Sequence, residues 1–66
     1  MRSQKLRDVL DEISDISAGL ADEMNEYKKN GDSVRHRTAL LAVLDLMKTY
    51  CDLTSAADLL ENMEDM

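Results

Sequence analysis

The stretch ALLAVLDLM at positions 39–47 is apolar at every position except Asp45 and contains neither proline nor glycine. Such a run favours a helix, and a helix that is apolar nearly all round is buried nearly all round. Together with the residues that follow, its apolar positions fall on two faces. The first face holds Ala39, Ala42, Val43, Leu46, Tyr50 and Leu53, and the second holds Leu40, Leu41, Leu44, Met47 and Cys51. One neighbouring helix covers one face, so the sequence predicts a second neighbour for the other.

The N-terminal half predicts one long helix over about 4–29, which supplies the first neighbour. Its apolar residues recur at intervals of three and four, the spacing of one helical face. They are Leu6, Val9, Leu10, Ile13, Ile16, Leu20, Met24 and Tyr27. Ser3 is the expected N-cap, and Gly31 suits the left-handed position just beyond a helix end. Because the turn at 30–33 is short, we expect the next helix to return antiparallel beside the first.

The second helix, which Asp32 or Ser33 can cap, is expected over about 34–52. Beyond it the sequence leaves two alternatives. Leucines 46, 53 and 60 stay in heptad register, which favours one continuous helix. Ser55 and Asp58 resemble a capping box, which favours a short third helix over about 55–64. The predicted fold class is all-α in either case, a single domain over 1–66 built on a two-helix hairpin.

The chain is too short to be stabilised easily by its own core. A chain of 66 residues buries only about 60% of the surface that it exposes when unfolded. Disulfides, metals and oligomerisation are the usual remedies. A single cysteine, Cys51, and a single histidine, His36, provide neither an internal disulfide nor a zinc site. We therefore expect a homodimer with four helices, in which the second apolar face serves self-association or binding of a partner.

The interior glycine at position 19 also calls for a neighbour. A glycine inside a helix costs about 1 kcal/mol relative to alanine. Close approach of a neighbouring helix to Gly19, or a bend that matches a partner, would compensate for that cost.

The residue inventory predicts no catalytic residue, no metal site and no cofactor. His36 and Cys51 are about 22 Å apart along one helix, too far for a nucleophile and its base. No Glu-x-x-His motif is present, so a di-iron site is not expected. No apolar run approaches the roughly 20 residues of a membrane span, and the charged N-terminus is unlike a signal peptide. We expect a cytoplasmic, non-enzymatic protein that makes no membrane contact.

The charges are distributed unevenly within a formal net charge of -6. A basic turn consists of Lys28, Lys29, Arg35, His36 and Arg37. An acidic face on the first helix consists of Asp8, Asp11, Glu12, Asp15, Asp22, Glu23 and Glu26. The net charge opposes nonspecific binding to nucleic acid and favours protein partners, with the acidic face suited to a basic partner.

The function that fits these features best is a small regulatory protein–protein interaction module, such as an adaptor, an inhibitor or a co-chaperone. Its size and architecture are similar to those of bacteriophage accessory proteins and of hairpin co-chaperones, although no motif supports either analogy. Two alternatives use the charges instead. One is a nucleic-acid-binding regulator acting through the basic turn, and the other is an acidic mimic of nucleic acid that uses the carboxylates of the first helix.

Overall fold

The computed structural model describes all 66 residues as two long helices joined by a tight turn. Helix α1 runs over Arg2–Lys29 and helix α2 over Ser33–Glu64, and there are no strands. The helices pack against each other along their length, with the two chain ends meeting at one end of the hairpin. The molecule measures 54 × 15 × 10 Å. The predicted all-α hairpin is therefore confirmed.

The interface between α1 and α2 follows a seven-residue repeat. Inner positions alternate at intervals of three and four, which lets two helices stay in contact as they supercoil. They are Ser3, Leu6, Leu10, Ile13, Ser17, Leu20, Met24 and Tyr27 on α1, and His36, Ala39, Val43, Leu46, Tyr50, Leu53, Ala57, Leu60 and Glu64 on α2. All of these residues are buried or half-buried except Tyr50, which is just exposed. The first predicted face of helix 2 thus packs on α1.

Two residues assigned to the apolar face of helix 1 lie outside this interface. Val9 and Ile16 are exposed, and the inner positions beside them are Leu10 and Ser17. Spacing of three and four residues allows either Val9 or Leu10, and either Ile16 or Ser17, to face α2. A strict seven-residue repeat places only positions 3, 10, 17 and 24 at the interface, so Ser17 faces inward and the larger Ile16 does not.

The turn closes α1 with a Schellman motif. The Asp32 N–H donates to the Tyr27 carbonyl at 2.9 Å, and the Gly31 N–H donates to the Lys28 carbonyl at 3.2 Å. Gly31 has φ +74, the left-handed conformation predicted for it. Asp32 then caps α2, since its carboxylate accepts a hydrogen bond from the Arg35 N–H at 3.1 Å. The short turn and its caps are as the sequence predicts.

Helix α2 continues without a break through Thr54 and Ser55, where the alternative of a short third helix begins. The Thr54 hydroxyl donates to the Tyr50 carbonyl at 2.8 Å, so its polar group is satisfied inside the helix. Ser55 makes no capping hydrogen bond and lies within the regular helix. The inner leucines 46, 53 and 60 hold both halves of α2 against α1, and the third helix does not form.

One expectation for α1 is wrong, and another is not met within the hairpin. Ser3 lies inside the helix rather than at its N-cap, which is Met1. No neighbouring helix of the hairpin approaches Gly19, because a Cβ atom built there would meet nothing within 4 Å. Gly19 is exposed because it falls two positions after the inner residue Ser17, on the outer side of the helix.

Candidate interaction surface

An uncovered apolar surface runs along the middle of α2, and we call it the α2 stripe. It is the second face predicted from sequence, and its members are Leu40, Leu41, Leu44, Met47 and Cys51. The four larger side chains are 38–57% exposed, and Cys51 is exposed as well. Because α1 occupies the other face of α2, the hairpin leaves this surface in contact with solvent. The structure therefore confirms that one neighbour covers only one of the two apolar faces.

Small residues of α1 lie beside the α2 stripe and leave a shallow groove along it. A depression of about 220 Å³ is lined by Ser14, Ser17, Met47, Tyr50 and Cys51. Ala18 and Ala21 continue this small-residue edge at helical spacing after Ser14. The hairpin thus presents a ridge of large apolar side chains next to a lower strip of small ones.

Charged residues of opposite sign lie at the two ends of the α2 stripe. At the same three-and-four spacing, the series extends to Arg37 at the turn end and to Thr54 and Asp58 at the open end. Arg37 is exposed and forms no ion pair within the chain. Asp58 is exposed and accepts a hydrogen bond from Arg7 at 3.1 Å. The apolar part of the series is therefore bounded by a cation on one side and an anion on the other.

An arginine joins the two helices near the open end of the hairpin. The Arg7 Nε–H donates to the Glu61 carboxylate at 2.5 Å, and its Nη2 donates to Asp58. The hydrogen bond to Glu61, followed by the one to Asp58, raises the pKa of Arg7. The same Arg7 hydrogen bond lowers the pKa of Glu61. These charge-assisted contacts hold the first turns of α1 against the last turns of α2.

A second polar contact lies at the last inner positions of the hairpin. The Ser3 N–H donates to Glu64 Oε1 at 3.1 Å, and the Ser3 hydroxyl donates to Glu64 Oε2. These two hydrogen bonds, the hydroxyl one first, lower the pKa of Glu64. We call the contacts of Ser3 and Arg7 with α2 the open-end clasp. Sequence reasoning missed the clasp, although the opposite charges at 7 and 61 would face each other in an antiparallel hairpin.

The structure gathers the predicted basic turn at one end of the hairpin but neutralises part of it. Lys29 pairs with Glu26 and Arg35 pairs with Asp32, each at 3.6 Å. His36 takes the first inner position of α2 and is half-buried, and Lys28 lies with it around a depression of about 200 Å³. Arg37 is exposed and lies three residues before Leu40, at the turn end of the α2 stripe. The five residues are therefore close together without forming one uninterrupted basic surface.

The predicted acidic face lies on the outer side of α1, and all seven of its carboxylates are exposed. Asp8, Asp15 and Asp22 form a line along the helix at intervals of seven residues, or about 10.5 Å. No group of three or more His, Cys, Asp and Glu side chains is arranged to hold a metal ion. The carboxylates give this side of the hairpin a negative surface.

The single histidine and the single cysteine lie far apart along α2. His36 is half-buried at the turn, and Cys51 is exposed fifteen residues further on, about 22 Å away. Neither helix combines the length and apolar character needed to cross a membrane. Comparison of the chain with protein-family models, with curated proteins and with solved structures gives no match.

Proposed function

We propose that the protein is a non-enzymatic interaction module that self-associates through the α2 stripe and presents its remaining helical surfaces to another protein. The observation that carries the proposal is the stripe itself, five neighbouring apolar residues exposed on a chain with almost no core. Only Leu10, Ala39 and Ala57 are buried apolar residues. A surface of this kind is typical of a protein–protein contact.

The exposed area of the hairpin supports a second copy as the occupant of the stripe. The chain exposes 5144 Å², whereas a compact monomer of its mass exposes about 4,200 Å². The excess of about 900 Å² is close to the area of about 800 Å² that each partner loses in a standard protein interface. The extended shape also supports a second copy. The radius of gyration is 15.4 Å, whereas a compact chain of this length has about 11 Å.

The composition of the stripe also suits self-association. It contains no charged side chain and no buried polar group that a partner would have to satisfy. A methionine and leucines fill gaps at an interface without demanding hydrogen bonds. Two hairpins joined in this way form the four-helix arrangement expected for short chains that lack disulfides and metals.

In such a dimer the outer side of α1 stays exposed to a further protein. Its seven carboxylates favour a partner with a basic surface through charge complementarity. Contact of this kind speeds association and weakens as salt rises. An adaptor or an inhibitor would use the acidic face in this way.

The proposal is tested by the mass of the protein in solution, measured by light scattering over a wide concentration range. We expect about twice the 7.5 kDa of one chain. Leu44→Asp should return the mass to that of one chain, because an unpaired carboxylate would have to be buried at the interface. Leu59→Asp is the matched control, since Leu59 is also an exposed leucine of α2 and lies off the stripe.

The control should remain a dimer, because it adds the same charge without touching the stripe. A wild-type protein that keeps the mass of one chain at all concentrations contradicts self-association. Loss of the dimer in Leu44→Asp and Leu59→Asp alike also contradicts the proposal, since the cause is then the added charge and not its position.

A further inference from the structure

We infer that the second copy packs antiparallel, with its α2 lying directly against α2 of the first copy and the two turns at opposite ends of the dimer. This inference rests on the proposed self-association and adds the orientation and register of the partner. In this arrangement Leu44 faces the partner's Met47, and Leu40 faces the partner's Cys51. The dimer axis passes between positions 44 and 47.

The order of residues along the stripe gives the orientation. The series begins with Arg37, continues with four apolar residues and ends with Thr54 and Asp58; its positions are 37, 40, 44, 47, 51, 54 and 58. If two copies of α2 pair antiparallel, centred on the apolar residues, each apolar residue contacts an apolar residue of the partner. Arg37 then lies next to the partner's Thr54 and Asp58. A parallel pairing would set Arg37 against the partner's Arg37. Opposite charges at the rim favour the first arrangement.

The charges of the whole hairpin favour the same orientation. Residues 2–12 and 52–65, at the open end, include three basic and eight acidic side chains, a net charge of -5. Residues 22–38, around the turn, include four basic and four acidic side chains and are neutral in sum. A parallel dimer would bring two strongly negative ends together, whereas an antiparallel dimer places each one beside a neutral turn.

The native cysteine allows a sharp test by disulfide crosslinking. Positions 40 and 51 are eleven residues apart, about 16 Å along one helix, which is too far for a disulfide within the chain. In the antiparallel register they meet across the interface. Leu40→Cys, with Cys51 kept, should therefore become a covalent dimer under copper phenanthroline and air. Peptide mass spectrometry should find the bond between positions 40 and 51.

Two controls accompany this variant. The wild-type protein should stay uncrosslinked, because its two Cys51 residues lie about 16 Å apart in the antiparallel dimer. Leu40→Cys combined with Cys51→Ser should stay uncrosslinked for the same reason. The mass of each protein is measured before oxidation, so that only dimers are compared.

If Leu40→Cys disrupts the dimer, crosslinking is tested at the ends of the α2 stripe instead. The sample is then a mixture of two chains, Arg37→Cys/Cys51→Ser and Thr54→Cys/Cys51→Ser.

The mixture should give a covalent heterodimer, whereas neither chain alone should crosslink, because each position is about 25 Å from its own copy. Crosslinking of the wild-type protein through Cys51 would indicate a parallel dimer and overturn the inference. A dimer in which no variant crosslinks would also overturn the inference. The partner's α2 would then pack on the small residues of α1 and not on the α2 stripe. A wild-type protein that is monomeric before oxidation instead contradicts the proposed self-association itself.

Discussion

The guanidinium of Arg7 on α1 donates to the carboxylate of Glu61 on α2 at 2.5 Å and joins positions 54 residues apart in the sequence. At this end of the hairpin only small or polar residues, Ser3 and Glu64, occupy the last inner positions. The last pair of inner positions therefore makes a polar contact and no apolar one. The hydrogen bonds and ion pairs of the open-end clasp hold the terminal turns of the two helices together there.

Arg7→Gln should loosen the open end without unfolding the hairpin. The variant removes the charge that pairs with Glu61 and Asp58 while keeping a long side chain. Amide hydrogen exchange should accelerate in the first turns of α1 and the last turns of α2 and stay unchanged near Gly31. Lys5→Gln is the control, since Lys5 loses the same charge but forms no ion pair. Equal exchange patterns in the two variants would show that the clasp adds nothing to local stability.

The pH dependence of stability should report on Glu64. The Ser3 hydroxyl and N–H hold the pKa of Glu64 below its ordinary value of 4.5 in the folded chain. A lowered folded pKa means that the ionised group favours folding. The contribution is complete above pH 4.5 and is lost as the pH falls through the lower folded pKa. Thermal melts at decreasing pH should therefore show a steeper loss of stability in the wild-type protein than in Glu64→Gln.

Asp65→Asn controls for the general loss of negative charge in this experiment. Asp65 neighbours Glu64 in sequence but its side chain makes no hydrogen bond to α1. Its removal should leave the steep acid dependence of the wild-type protein in place. If Glu64→Gln and Asp65→Asn change the melting curves equally, the Ser3 contact does not contribute through ionisation of Glu64.

Leu10→Ala should be the most damaging truncation within the hairpin. Leu10 is only 4% exposed and is the one large side chain that the hairpin buries fully enough to count as core. Loss of a buried leucine costs about 2–5 kcal/mol, which is a large part of the stability of so small a domain. Leu59→Ala removes the same atoms from a side chain that is 69% exposed and should change stability by no more than about 0.5 kcal/mol. Urea unfolding followed by circular dichroism, at one protein concentration, compares the two variants.

Much of the fold follows from the sequence because its signals are local. Gly31 and Asp32 mark the turn through backbone conformation and capping, and neither depends on distant residues. The two faces of α2 also follow, because three-and-four spacing alone separates Leu44 from Leu46. The assignment of Ile16 to the interface is wrong because helical spacing allows both Ile16 and Ser17 to belong to one broad face. When two helices supercoil around each other, the contact follows a seven-residue repeat, and only Ser17 of these two residues lies on it.

The contacts across the hairpin were harder to predict because they depend on the register between two helices. Arg7 and Glu61 are 54 residues apart, and a shift of one turn would separate them. The local sequence around Ser3 fits an N-cap, whereas its hydrogen-bond partner, Glu64, lies 61 residues away. By contrast, the exposure of the α2 stripe was predictable, because it follows from having two apolar faces and one neighbouring helix.

The two glycines should respond in opposite ways to the same substitution. In each case a new Cβ atom would meet nothing within 4 Å, so steric clash is absent at both positions. They differ in backbone conformation, because Gly19 lies in the regular helix and Gly31 has φ +74. Gly19→Ala should therefore stabilise the hairpin by about 1 kcal/mol through lower backbone entropy in the unfolded chain. Gly31→Ala should destabilise it by about 1–2 kcal/mol, because an L-residue is strained in the left-handed region.

Urea unfolding of the two variants and the wild-type protein, at matched concentration, measures both effects. The Gly19→Ala result also bears on the dimer. In the antiparallel arrangement Gly19 lies on the outer side of α1, away from α2 of the partner, so the variant should keep its dimeric mass as it gains stability. If Gly19→Ala instead weakens association, a neighbouring helix must approach position 19 closely, and the partner then packs on α1 rather than on the α2 stripe.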